Sequence, residues 1–165
     1  MRKADAIPSK IFSLDNLART IEGWRVKGET IAFTNGVFDL LHEGHIFSLS
    51  QAAATASRLV VALNSDDSVK RLKGPTRPVN NEQARALVMA SLVMVDAVVI
   101  FDDDTPHRVI TTLLPDVLVK GGDYTIDQIV GAKEVMAHGG KVIINPLIEG
   151  ISTTGIIARM QQMHP

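Results

Sequence analysis

Apolar residues along this chain fall into short unbroken runs separated by longer stretches of helical spacing. The runs at 30–33, 59–63, 97–101, 116–119 and 141–145 have strand length and lack the alternation of a half-exposed sheet, which predicts buried parallel strands. Between them the spacing predicts helices. Ser13 caps the first, with Leu14, Leu17, Ile21 and Trp24 as its stripe and Lys27-Gly28 as its stop. Ile46, Leu49, Ala53 and Ala56 share a second face. Ala84, Leu87, Val88 and Leu92 form a third, behind Asn80 or Asn81 as cap. Thr105 as cap and Pro106 at the first helical position open a helix to about residue 114. A helix over 126–138 stops at Gly139-Gly140, and Ser152 caps a last one to about residue 162. The basic stretch 68–78, broken by Gly74, Pro75 and Pro78, reads as a loop.

Strands alternating with helices predict an α/β fold, five parallel strands covered on both faces. Residues 1–28 read as an N-terminal helical lead-in, loose over 1–12, and 29–165 as one domain. In such sheets ligands bind beyond the C-terminal strand ends, where the strand order reverses. The polar clusters follow the apolar strands at 35–45, 64–67, 120–123 and 146–154, so they converge on one end.

The densest of these is Thr34-Asn35-Gly36-Val37-Phe38-Asp39-Leu40-Leu41-His42-Glu43-Gly44-His45, a strand-to-helix turn. His42 and His45 are three residues apart at a helix start and share a face. Free backbone N–H groups and the positive helix end make an anion site there. No Cys or third His is nearby to complete a metal site.

Composition narrows the classes. A formal net charge of −1 over 165 residues argues against nucleic-acid binding by bulk electrostatics. With no cysteine, disulfides and zinc–thiolate sites are excluded. No signal peptide or membrane-length apolar run is visible, so a cytoplasmic protein without a membrane partner is expected. GxGxxG and Walker A patterns are missing.

The run from Thr34 to His45 resembles the HxGH signature of the nucleotidyltransferase superfamily, in its cytidylyltransferase-like branch. Asn64 through Gly74, Arg77-Pro78-Val79-Asn80, Val95-Asp96, Asp104-Thr105-Pro106, Leu118 through Tyr124 and Ser152-Thr153-Thr154 extend the likeness. They are similar to the adenylyltransferase half of bacterial heptose-phosphate kinase/adenylyltransferases. The resemblance implies a three-layer, Rossmann-like domain and a homodimer. It implies transfer of AMP from ATP to heptose 1-phosphate, with Mg²⁺ held mainly by phosphates and no covalent enzyme intermediate. A glycerol-3-phosphate cytidylyltransferase is the alternative enzyme. Its relatives carry Arg-Thr where this chain has Leu147-Ile148 before Glu149-Gly150. A non-catalytic nucleotide-binding module is the alternative outside enzymes.

Within that reading His42, His45 and Lys73 carry the chemistry. Thr34, Asn35, Gly36, Phe38, Gly121, Asp123, Ser152, Thr153 and Thr154 join the histidines in holding the nucleotide. Asp39, Asn64, Lys73, Arg77 and Arg85 face the sugar phosphate. The carboxylates at 102–104 read as a solvated turn rather than a metal site.

Overall fold

The structure is a computed structural model that describes residues 4–122, 124–146, 150 and 152–163. Six parallel strands form one sheet in the order β1-β4-β3-β2-β5-β6. They are β1 (Ile11–Phe12), β2 (Ile31–Gly36), β3 (Arg58–Asn64), β4 (Ala97–Phe101), β5 (Val117–Gly121) and β6 (Lys141–Asn145). The helices are α1 (Leu14–Val26), α2 (Glu43–Ala53), α3 (Asp66–Lys73), α4 (Glu82–Ser91), α5 (His107–Leu113), α6 (Ala132–Ala137) and α7 (Thr153–Gln162). None of the described helices is long and apolar enough to cross a membrane.

Side chains alternate across the sheet with period two, and each face packs a layer of helices. Phe33, Val60, Ala62, Val99 and Leu118 meet Leu17 and Ile21 of α1, Val109, Ile110 and Leu113 of α5, and Val135 of α6. Ala32, Leu59, Val61, Leu63, Val98, Val117 and Val119 meet Leu49 and Ala52 of α2 and Ala86, Met89 and Ala90 of α4. The chain runs outward from β2 through β3 to β4, then returns to β5 on the other side of β2. The order therefore reverses between β2 and β5, and a crevice opens at their C-terminal ends.

Several elements differ from the sequence expectation. The sheet has six strands rather than five, because Ile11 and Phe12 pair with Val98 and Val99 at the edge. Two residues are too few to show a pattern. The stretch read as a loop contains α3. Ser65 caps it, Asp66 and Asp67 occupy its first turn, and Lys70, Arg71 and Lys73 its last. That arrangement complements the helix dipole. The buried face of α4 is Arg85, Ala86, Met89 and Ala90, whereas Ala84, Leu87 and Val88 are exposed. An arginine sits where an apolar residue was sought. Pro106, not Thr105, is the cap position of α5, and it makes no side-chain cap bond. The helix expected over 126–138 is split at Gly131, where a positive φ and a Cβ that would meet Ile110 at 2.6 Å both call for glycine.

Candidate active site

Charges are handled differently at the two ends of the sheet. At the N-terminal end they neutralise one another. Arg58 bridges Glu29 and Asp96, and Asp96 and Asp116 accept the Leu59 and Ile31 amides at 2.8 and 2.7 Å. At the C-terminal end a cavity of about 440 Å³ holds cations without counter-ions. Lys73 and Lys120 line it and form no ion pair among the described residues. Among the described residues the one carboxylate in its wall, Asp39, is already committed. It accepts from the Val79 and Asn80 amides at 2.9 Å and from Arg77 at 2.8 Å. Burial works to raise the Asp39 pKa, but the Asn80 and Val79 amides and the Arg77 guanidinium outweigh it and hold the carboxyl below its usual range.

The turn after β2 builds the cavity wall. Phe38 adopts a positive φ of 46°, and its ring lies over Gly36, where a Cβ would sit 2.8 Å from it. A bulky residue in this region stores strain, which is kept where geometry serves a site. Beyond it, His42 occupies the cap position of α2 without a side-chain cap bond. The Glu43 and Gly44 amides have no acceptor among the described residues. Ser152 caps α7 by accepting from the Gly155 amide, and Thr153 donates to the Leu40 carbonyl, tying α7 to the histidine turn. The Thr153 and Thr154 amides are likewise without acceptors among the described residues. Two helix N-termini thus deliver free donors and dipole ends to one cavity.

The imidazoles of His42 and His45 stack with centroids 3.8 Å apart, and Phe38 packs against His45 at 5.1 Å. Neither Nδ1 has a hydrogen-bond partner. A buried polar atom left unpaired costs stability and is retained where function uses it. Gly44 leaves the room: a Cβ there would come within 3.1 Å of His42. Burial, then the neighbouring His42, pushes the His45 pKa down to about 4, with the Leu40 backbone acting in the opposite direction. Burial also lowers that of His42, partly opposed by Glu43. Both rings are therefore neutral donor–acceptors at pH 7.

This depression has a consequence for acid stability. An unfolded histidine takes up its proton near pH 6.5, the folded His45 only near 4. Between those values the unfolded chain binds more protons, so stability falls as pH drops from 6.5 towards 4. Allowing for solvent screening, the loss is on the order of 2 kcal/mol. Thermal unfolding across this window checks it, and His45→Asn should flatten the slope. An unchanged slope in that variant contradicts the account.

The cavity brings together most of the expected residues. Thr34, Asn35 and Gly36 line it from β2, with Phe38, Asp39, His42 and His45 from the turn and α2. Lys73 and Arg77 enter from the end of α3 and the loop after it, Gly121 from β5, and Ser152, Thr153 and Thr154 from α7. Two expected sugar-phosphate residues do not reach it. Asn64 is buried and donates to Ser68. The Arg85 guanidinium is 0 % exposed and spends its donors on the Asn80, Val37 and Asn64 carbonyls and on Asp66. Its position on a helix gave no sign of this. Asp123 and the 147–149 segment lie outside the described residues. The sequence reading passed over Ser48, and it placed Lys120 and Tyr124 in a polar cluster and a matched run without giving either a role. The available signal was a lysine near the end of an otherwise apolar strand.

Among the described residues no three carboxylate, His or Cys side chains gather to hold a metal.

A parallel sheet with a crevice at its reversal point, two converging helix N-termini and a neutral imidazole pair suit a nucleotidyltransferase. The chain belongs to the cytidylyltransferase-like family, whose model matches residues 33–159. It is 56% identical over 151 residues to the bifunctional protein HldE of Caulobacter vibrioides and 58% identical over 151 to that of Hyphomonas neptunium. These matches cover 92% of this chain and 31% of each relative, so the chain spans about a third of the curated proteins it matches. Among solved structures it is similar to the lipopolysaccharide core biosynthesis protein of Thermoplasma volcanium, with TM-score 0.60 and 26% identity over 73% of this chain and 98% of that one. It shares its fold with the pantoate-beta-alanine ligase of Francisella tularensis, with TM-score 0.57 and 15% identity over 92% of this chain and 76% of that one.

Proposed function

We propose that the chain transfers AMP from ATP to a heptose 1-phosphate, releasing pyrophosphate and forming ADP-heptose. The observation that carries the reading is the cavity itself: two helix N-termini and two imidazoles facing unpaired lysines, with no uncommitted carboxylate among the described residues. Such a site fits two anionic substrates brought together. The likeness to HldE and to a lipopolysaccharide core biosynthesis protein supports a sugar phosphate as acceptor.

In this reading an acceptor phosphate oxygen bonds to the α-phosphorus, and the bond to the bridging oxygen breaks as pyrophosphate leaves with its electron pair. His42 and His45 donate to oxygens that gain charge, and the α2 and α7 amides hold the triphosphate. Arg77 is kept by Asp39 beside the cavity, and Lys73 approaches from the end of α3, placed to neutralise the acceptor phosphate. Asp39 acts as a clasp for the 77–80 loop rather than as a base, since its oxygens are occupied. Mg²⁺, carried by the triphosphate, supplies charge neutralisation. Positioning and electrostatics account for the catalysis, and no covalent enzyme intermediate forms.

Pyrophosphate release measured with ATP or CTP, against heptose 1-phosphate or glycerol 3-phosphate, tests this. Turnover is expected with ATP and heptose 1-phosphate. Turnover with CTP alone, or with neither nucleotide, overturns the proposal.

A further inference from the structure

Lys120 is the cavity cation for which neither the sequence nor the matched motifs supplied a role. It is the penultimate residue of β5, whose neighbours in the sheet are β2 and β6. Those two strands precede α2 and α7, so Lys120 lies between the strands whose following helices aim their N-termini at the cavity. Its ammonium is 3.4 Å from the Asn35 side-chain oxygen and 5.9 Å from the Tyr124 ring centroid, both neutral groups. Among the described residues it has no carboxylate partner, unlike Arg77, whose charge Asp39 already meets. A half-buried ammonium without a counter-ion is costly to fold around, and burial alone lowers its pKa. Asn35 and Tyr124 orient it without neutralising it.

We propose that Lys120 holds the phosphoryl group under transfer, the α-phosphate of the bound nucleotide. This rests on the nucleotidyl-transfer reading above. The histidines and the α7 amides flank the same point, so an α-phosphate there meets donors from both sides and the ammonium from the crevice floor. As the acceptor oxygen bonds to phosphorus and pyrophosphate departs with its electron pair, charge builds on the non-bridging oxygens, and Lys120 stays protonated throughout. Lys73 and Arg77, which come from outside the sheet, are left for the acceptor phosphate.

Lys120→Met and Lys120→Arg separate this from a structural role. In the methionine variant kcat should fall by about 10²- to 10³-fold, the scale for loss of one preorganised charge-stabilising donor. The acceptor KM should stay within about threefold, because the acceptor phosphate meets other cations. The arginine variant should recover part of kcat. The Tm of the ligand-free methionine variant should be unchanged or higher, since an unpaired charge has been removed. A kcat within about threefold of the native protein overturns the proposal, as does a lowered Tm that accounts for the loss. Calorimetric binding keeps the test independent of turnover. AMP should bind the native protein more tightly than adenosine, and the methionine variant should lose that preference. If the native protein binds both equally, Lys120 does not hold this phosphate. If AMP is preferred yet no nucleotide turns over, the failure lies with the transfer reading.

Discussion

His45→Ala gives a folded protein whose turnover is lower by about 10²- to 10³-fold. The size follows from what the ring does in the proposed reaction. It is a neutral donor held in a largely desolvated wall, stacked on His42 at 3.8 Å and backed by Phe38 at 5.1 Å. It can hydrogen-bond an oxygen that gains charge without reorganising, and such contacts are worth most where water is excluded. The ring is not a pillar of the core. It is only partly buried, its Nδ1 has no partner, and Leu49 carries the burial of α2. The variant should therefore keep its Tm within a few degrees. His42→Ala should act similarly. The double variant should lose less than the product of the two, because stacked rings serving one phosphorus centre act as a unit. Steady-state pyrophosphate release with ATP and heptose 1-phosphate measures all three. Turnover within threefold of native in His45→Ala would remove the imidazoles from the mechanism.

Arg85→Ala has the largest expected effect on stability. The guanidinium of Arg85 is fully enclosed and joins four separate pieces of backbone and side chain. It donates to the Val37 carbonyl at 2.7 Å, the Asn64 carbonyl at 2.8 Å, the Asn80 carbonyl at 3.0 Å and Asp66 at 2.8 Å. It thereby pins the end of β3 and the 77–80 loop to the turn that presents the histidines. Truncation leaves three carbonyls and a carboxylate without their donor and opens a void beside Asp39. Breaking a buried pair of this kind costs about 3–5 kcal/mol. For a chain of this size that lowers Tm by roughly 10 °C. Arg85→Lys should recover only part, because one ammonium cannot span the same fork of acceptors. A shift below about 3 °C in Arg85→Ala would show that the clasp is dispensable.

The strands were legible because a parallel sheet buried on both faces demands unbroken apolar runs, and 59–63 and 97–101 can be little else. The histidine turn was legible because a strand, two close imidazoles and a helix start occur within a dozen residues. What escaped depends on tertiary partners. Ile11 and Phe12 become a strand only because β4 offers them an edge. Asp66 to Lys73 is helical although Gly74 and Pro75 suggested a loop, and only Ser68 and Val69 of it are fully buried. Asn64 looked like a substrate contact because a polar residue near a strand end resembles a site residue in one dimension, and Arg85 because the family likeness placed an arginine there. Only the fold shows that their partners are carbonyls and Ser68. Lys120 was hidden inside a glycine-rich turn, and its importance follows from the neutral partners, Asn35 and Tyr124, that it has among the described residues.

The most direct measurement of the central claim is the crystal structure of the protein with Mg²⁺ and a non-hydrolysable ATP analogue. Triphosphate oxygens should lie within about 3.2 Å of ring nitrogens of His42 and His45 and of the Thr153 and Thr154 amides. A triphosphate seated elsewhere, with neither imidazole in reach, would contradict it.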